Sequence, residues 1–197
     1  IINPYNGPLH DEDSINNYNK YIDLLHKNNS KIIGYVSTNY GNNSLTSVKT
    51  DIDLWVLKYN VDGIFLDETS SDNDKFSYYS ELENYINSKN KNLIVNNFGT
   101  IPHTSYTSLT SIKIILETSY QEAKTEITSE NYKNWINDLN TFSSNCILSY
   151  NASKDSYKSL NNYGSKWVYF TDDTLPNPWN SLPNYYTDMA NEVLSQN

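Results

Sequence analysis

Three patterns in the chain indicate an α/β protein built as a (β/α)8 barrel of the TIM type. Short apolar runs alternate with segments of helical periodicity, which is typical of a parallel sheet with helical crossovers. The runs are continuously apolar, as expected for strands covered on both faces. Nearly every run ends on polar or acidic residues, whereas a doubly wound open sheet would concentrate them at one switch point. At 197 residues, a single domain spanning 1–197 is expected.

Seven apolar runs are predicted to be strands, with helices between them. The strand candidates are 1–3, 31–38, 63–68, 92–98, 113–119, 146–151 and 166–173. The helical stripes are Ile15, Tyr18, Ile22 and Leu25; Val48, Ile52, Trp55, Val56 and Tyr59; Tyr79, Leu82 and Ile86; Tyr132, Trp135, Ile136 and Leu139; a short segment near 157–160; and Tyr186, Met189, Ala190 and Val193.

The strand count is one short of a closed barrel, which needs about eight. We expect either that the first β/α unit lies upstream of Ile1 or that the barrel is open at one edge. Since a free sheet edge invites pairing with another chain, we expect that edge to be covered or to be a site of association. The oligomeric state is left open.

Composition excludes several classes of function. The net charge of −9 and the pI near 4.7 leave no basic stripe for nucleic acid. An acidic cleft suits neutral or cationic ligands, although solubility is the simpler interpretation of the acidity. No apolar run approaches membrane-spanning length, so no membrane insertion is expected. The lone Cys146, in an apolar run, is expected to be a buried, inert thiol.

Metal and nucleotide cofactors are also not expected. The isolated histidines His10, His26 and His103 have no zinc-site spacing. The chain has neither a P-loop nor a GxGxxG motif, and no G-x-S-x-G elbow for serine hydrolysis.

The stretch VDGIFLDET carries two adjacent acids, Asp67 and Glu68, at the tip of a predicted strand, and Glu117 ends another strand two further along. Because successive strand residues point to opposite sides, Asp67 and Glu68 are not expected to aim identically. One should face the pocket, while the other lies against a neighbouring strand or loop. Glu117 is expected to approach the pair across the barrel mouth. Facing carboxyl groups in a cleft are what glycosidic cleavage needs, with one protonated and one ionised.

Aromatic residues near strand ends support a sugar ligand, because pyranose rings stack on flat apolar faces. The loop TLPNPWNSLPNYY, stiffened by three prolines, holds Trp179 where it can form such a platform. Together with polar strand ends, the candidate substrate-binding residues are Asn3, Tyr5, Asn6, Tyr35, Thr38, Tyr40, Asn96, Tyr120, Tyr150, Tyr169 and Trp179.

Four segments resemble the spherulin-4-like family, glycoside hydrolase family 135: IINPYNGP, GYVSTNYG, DIDLWVLKYNVDGIFLDE and ILETSY. The resemblance covers nearly the whole chain and is densest from Ile1 to Glu68. It implies a (β/α)8 barrel, with the first strand preceding the INPYNGP segment. It also implies a secreted or cell-surface enzyme that cleaves α-1,4-linked galactosamine-containing polysaccharide internally, without a cofactor.

The resemblance also implies roles for the three acids. Asp67 would be the general acid and Glu117 the nucleophile or electrostatic stabiliser, while Glu68 would orient or tune them. Net charge suggests a partly deacetylated, cationic polymer as substrate. One departure from the family pattern is NNFGT at residues 96–100, where the family usually reads Asn-Pro-Gly-Thr. One alternative is a carbohydrate-binding or coat-associated barrel that does not turn over its ligand. Another is a structural interaction domain, which strand-end acids paired with lysines and sealed from solvent would indicate.

Overall fold

The computed structural model describes residues 1–138, 141–156, 158 and 164–195. Helices and strands alternate along the chain. In order they are α1 (Glu12–Lys27), β1 (Ile33–Ser37), α2 (Leu45–Lys58), β2 (Gly63–Asp67), α3 (Phe76–Ser88), β3 (Leu93–Asn97), β4 (Ile112–Ser119), α4 (Tyr120–Glu126), α5 (Glu130–Asp138), β5 (Asn145–Tyr150), β6 (Trp167–Phe170) and α6 (Tyr186–Ser195).

The strands form one six-stranded parallel sheet in the order β1 to β6, which confirms the predicted α/β class. Beside β1, on the side away from β2, Ile2 makes an isolated parallel bridge with Gly34. Six of the seven strand candidates are therefore strands, and the first is reduced to this bridge. Closure of the sheet into a barrel stays a prediction.

The first of two compact units comprises residues 1–98 and 102–113. Its core lies between the sheet and α1–α3, because alternate strand residues such as Val36, Leu66 and Ile94 point toward the helices. Trp55 of α2 lies directly against Gly34 of β1, where any side chain would collide with the indole. This close contact sets the distance between helix and sheet.

The buried Glu83 of α3 ties the chain entering β4 to the same unit. Its carboxylate accepts hydrogen bonds from the backbone N–H groups of Thr110 and Ser111, at 3.0 and 3.1 Å. Lys113 is also buried, and its ammonium donates to the Leu109 and Ser111 carbonyl oxygens. Burial lowers the pKa of Lys113 to about 8.

The second unit comprises residues 99–101 and the described residues from 114 onward. Its core is formed by Ile115, Trp135, Ile147, Phe170 and Met189, among others. Cys146 is buried, as expected, and burial raises the pKa of its thiol to about 12, with the Glu117 charge adding to the effect.

One helix of the structure was not predicted, and one predicted helix lies almost wholly outside the described residues. Helix α4 was not expected, because it is short and buries only Ala123, so it has no apolar stripe. Its N-terminal capping box, Ser119 with Glu122, is nevertheless visible in the sequence. The helix predicted near 157–160, like Leu139, falls outside the described residues, apart from Lys158, which lies in a 3-10 turn.

Candidate active site

Three side chains form one row at the carboxyl end of the sheet in the first unit. Ser37 of β1 is in register with Asp67 of β2, and Asn97 of β3 follows the aligned pair Leu66 and Asn96. Residues in register on parallel strands share a face, so all three side chains point to the same side. The Asn97 amide donates to Asp67 Oδ1 at 2.7 Å, which fixes the carboxylate against β3.

Glu68 joins this row, although strand alternation predicted a different direction for it. The Ser37 hydroxyl donates to Glu68 Oε2 at 2.5 Å. Glu68 has a φ of 53°, in the left-handed region, so the strand geometry ends at Asp67 and the next side chain turns back. Two consecutive carboxylates therefore reach the same row, and both are half-exposed.

The Glu68 conformation is held by the turn after β1. The Tyr40 N–H donates to the Glu68 carbonyl oxygen at 2.7 Å, and the Thr38 N–H donates to that of Asp67 at 3.0 Å. Tyr40 is itself left-handed, with a φ of 54°. Among described non-glycine residues with positive φ, all but Tyr40 and Glu68 are asparagines, which tolerate this conformation. Tyr40 and Glu68, the two residues for which this conformation is sterically unfavourable, are thus hydrogen-bonded to each other through their backbones.

The sequence-predicted Asn96 faces the helices and not the row. Its side chain has no exposed surface and donates to Ser111 Oγ at 2.7 Å. Thr38 is likewise fully buried. Asn97, and not the predicted Asn96, lies beside Asp67. The register of β1 to β3 brings Ser37 and Asn97 level with Asp67, and the sequence analysis named neither of them as a site candidate.

The remaining candidates of the first unit lie at several depths. Tyr35 is one layer below the row and stacks on Phe65 with 6.0 Å between ring centroids. Tyr40 and Tyr5 are exposed, Tyr5 to 85%. Asn3 is exposed and its side-chain oxygen accepts from the Gly7 N–H at 3.1 Å, which closes the turn that contains Asn6.

In the second unit, Glu117 lies near the carboxyl end of β4 and is half-buried. The Glu117 N–H donates to the Gly99 carbonyl oxygen at 3.1 Å. The Gly99 N–H donates to the Ile114 carbonyl oxygen, so the Gly99 backbone is hydrogen-bonded to β4 on both sides. The expected approach of Glu117 to Asp67 and Glu68 stays a prediction.

Three of the predicted aromatic residues come together in the second unit. The Trp179 ring lies 6.2 Å from the rings of both Tyr150 and Tyr169, and the Tyr169 hydroxyl donates to the Ser181 carbonyl oxygen at 3.2 Å. We call Tyr150, Tyr169 and Trp179 the aromatic trio. Tyr120 is separate from the trio and packs edge-on against Phe170.

A pocket of about 440 Å³ lies at the other end of the strands in the first unit. Its lining includes Lys31 and Asp62, just before β1 and β2, and Lys91 before β3. Asp62 accepts from His26, from Lys31 and from the Ile32 N–H. Lys31 thus pairs with Asp62 at the end of the sheet opposite to the carboxylate row, so we interpret this end as structural.

Within the described ranges, no group of three or more His, Cys, Asp or Glu residues could hold a metal ion. In the same ranges, no helix has the length and apolarity needed to cross a bilayer.

Comparison with known proteins identifies the family. Residues 1–193 match the family described as spherulation-specific family 4. Spherulin-4 from Physarum polycephalum is 35% identical over 139 residues, which are 69% of this chain and 40% of that protein, so the chain spans less than half of its relative. The crystal structure of Aspergillus clavatus Sph3 in complex with GalNAc matches with a TM-score of 0.80 and 22% identity, over 98% of this chain and 83% of Sph3. That likeness shows a shared fold. The family match over nearly the whole length shows that the chain belongs to spherulation-specific family 4.

Proposed function

We propose that this protein is a glycoside hydrolase that cleaves an amino-sugar polysaccharide in the manner of an endo-α-1,4-galactosaminidase. The observation that carries the proposal is the pair of consecutive carboxylates of Asp67 and Glu68. The left-handed backbone of Glu68 brings both of them into one half-exposed row. Backbone strain of this kind is concentrated at functional sites, and here it serves to place charge.

The proposed chemistry divides the work between acids. Asp67 gives a proton to the leaving glycosidic oxygen as its bond to the anomeric carbon breaks, and Glu117 attacks or stabilises that carbon. A water molecule, deprotonated by Asp67, then adds to the anomeric carbon, which releases Glu117 and restores the proton of Asp67. Glu68 tunes the charge around Asp67. Asn97 and Ser37 each donate one hydrogen bond to these carboxylates, so each acid keeps a fixed direction while one of its oxygens is left for the substrate.

The substrate class follows from charge and from the aromatic trio. A net charge of −9 favours a polymer that carries free amino groups, and aromatic faces suit pyranose rings. The GalNAc bound in the crystal structure of Sph3 supports an amino sugar. A polysaccharide of this kind places the enzyme in a secreted or cell-surface location, which is part of the proposal.

The test is release of reducing ends from α-1,4-linked galactosamine polymers, both acetylated and partly deacetylated. We expect the wild type to depolymerise them, with faster turnover of the deacetylated form. Asp67→Asn and Glu117→Gln should each abolish release while the circular dichroism spectrum and binding to the polymer persist. Wild-type rates in both variants would refute the assignment of these acids.

A second candidate is a carbohydrate-binding or coat-associated protein without turnover, and the aromatic trio favours it because that cluster needs no acid to bind sugar. Retention of the polymer in a pull-down, with no reducing ends released by the wild type, would support this candidate over hydrolysis.

A further inference from the structure

A buried tyrosine of α3 lies behind the Glu68 backbone. Tyr79 has no exposed surface. Its hydroxyl accepts from the Ser70 N–H at 2.8 Å and lies 2.9 Å from the Thr38 hydroxyl. The Thr38 hydroxyl in turn lies 2.9 and 2.8 Å from the carbonyl oxygens of Asp67 and Glu68. Tyr79 is therefore connected to the site, although it cannot touch a ligand.

The distances in this cluster favour one arrangement of its hydrogen bonds. Carbonyl oxygens only accept, so Thr38 donates its single hydroxyl hydrogen to them. Tyr79 then donates to the Thr38 hydroxyl at 2.9 Å, and the Glu68 carbonyl oxygen is a more distant acceptor for it at 3.5 Å. The Ser70 N–H fills the acceptor position of Tyr79. Burial raises the pKa of Tyr79 and outweighs the hydrogen bonds with Thr38 and Ser70, which lower it, so the phenol keeps its hydrogen at neutral pH.

The Glu68 backbone needs such support. A left-handed conformation costs a residue other than glycine about 1–2 kcal/mol, and glutamate has no short side chain to offset it. The turn opposite is left-handed as well, at Asn39, Tyr40 and Gly41, and Tyr40 is the residue there that bears the steric cost. If the bonds to the Glu68 carbonyl were lost, the extended conformation would be the lower in energy, and strand alternation would send the carboxylate away from Asp67.

We propose that Tyr79 is a positioning residue for Glu68: through Thr38 it fixes the left-handed backbone that turns this carboxylate into the row with Asp67. The consequence for turnover rests on the proposed function, whereas the effect on the backbone does not. If Tyr79 only filled space in the core, its ring would suffice and its hydroxyl would be dispensable.

The test compares Tyr79→Phe with a matched control, Tyr106→Phe. Tyr106 is equally buried and packs 6.1 Å from Tyr79, but its hydroxyl donates to the Asp72 carbonyl oxygen. On the amino-sugar polymer we expect Tyr79→Phe to lower kcat about 10- to 100-fold with little change in KM, because a small misplacement of a catalytic group has effects of this size. Tyr106→Phe should keep the wild-type kcat.

A second readout needs no substrate. The Tyr40 N–H donates to the Glu68 carbonyl oxygen, so its hydrogen exchange reports on this clamp. We expect exchange at Tyr40 to be at least about tenfold faster in Tyr79→Phe and unchanged in Tyr106→Phe. Should Tyr79→Phe fail to fold, the isosteric Thr38→Val breaks the next bond of the cluster and is expected to give the same result.

The outcomes separate the two proposals. A wild type that releases no reducing ends rejects the proposed hydrolase, and hydrogen exchange then decides the role of Tyr79 alone. Unchanged exchange at Tyr40 in Tyr79→Phe, or an equal change in Tyr106→Phe, would overturn the positioning role whether or not the enzyme is active.

Discussion

Replacing Gly34 by alanine should destabilise the first unit through a single steric conflict. A Cβ at this position would lie 2.4 Å from Cδ2 and 2.5 Å from Cγ of Trp55. The indole cannot withdraw easily, because it is fully buried, packs against Tyr59 with ring centroids 4.5 Å apart, and donates from Nε1 to the Tyr35 carbonyl oxygen at 2.8 Å. Both the strand and the indole must therefore shift.

The size of the effect can be worked out from these contacts. Overpacking a core costs about 1–3 kcal/mol. Loss of the Trp55 hydrogen bond adds about 1 kcal/mol. Alanine offsets up to about 1 kcal/mol of this loss, because the unfolded chain has less conformational entropy with alanine than with glycine at this position. A net loss of about 2–3 kcal/mol should lower Tm by about 4–12 °C for a chain of this size.

Urea denaturation measures this loss, and a double-mutant cycle isolates its cause. In a Trp55→Leu background the indole is gone, so Gly34→Ala should cost less than about 1 kcal/mol there. An equal cost in both backgrounds would refute the steric argument, as would a Gly34→Ala protein with wild-type stability.

Two further predictions concern acid stability and sugar binding. Burial raises the pKa of Asp62, but hydrogen bonds from the Ile32 N–H, His26 and Lys31 outweigh it and hold this pKa below its usual value. The stability that Asp62 adds is therefore complete above the unfolded pKa of about 3.9 and is lost as the pH falls through the lower folded value. Asp62→Asn should cost about 1–2 kcal/mol at neutral pH and flatten the acid side of a Tm–pH curve, whereas an acid side parallel to that of the wild type would contradict this. Trp179→Ala should weaken retention on the amino-sugar polymer about tenfold, while Trp167→Ala, at the other end of β6, should not; equal loss in both would argue against the aromatic trio as a platform.

Much of the fold can be read from the sequence, because apolar runs and helical stripes are local signals. The strand starting at Gly63 is an example, since its burial is continuous until Asp67. Where the sequence analysis missed an element, as for α4, the reason is that seven residues with one buried side chain carry no periodicity. The run at residues 1–3 makes only a bridge, through Ile2, although its apolar residues predicted a strand.

The direction of side chains at the site was harder to predict. Alternation correctly separates Asn96 from Asn97, but choosing between them requires the register with β2, which is a tertiary feature. The turn of Glu68 into the row depends on Thr38, Tyr40 and Tyr79, which are distant in sequence, and glutamate has no intrinsic preference for positive φ. A residue whose conformation is imposed by tertiary contacts leaves no signal in its own neighbourhood.

The acid at the carboxyl end of β2 is proposed to perform chemistry, and the acid that precedes the same strand provides a matched control. Asp67 ends this strand, and Asp62 precedes it at the opposite end of the sheet. The decisive measurement is the rate of reducing-end release by Asp67→Asn and Asp62→Asn on the same galactosamine polymer, at a pH and temperature where both are folded. We predict that Asp67→Asn loses at least about a hundredfold in rate, as for removal of a general acid, while Asp62→Asn keeps the wild-type rate. Equal rates in the two variants would show that Asp67 has no part in the reaction.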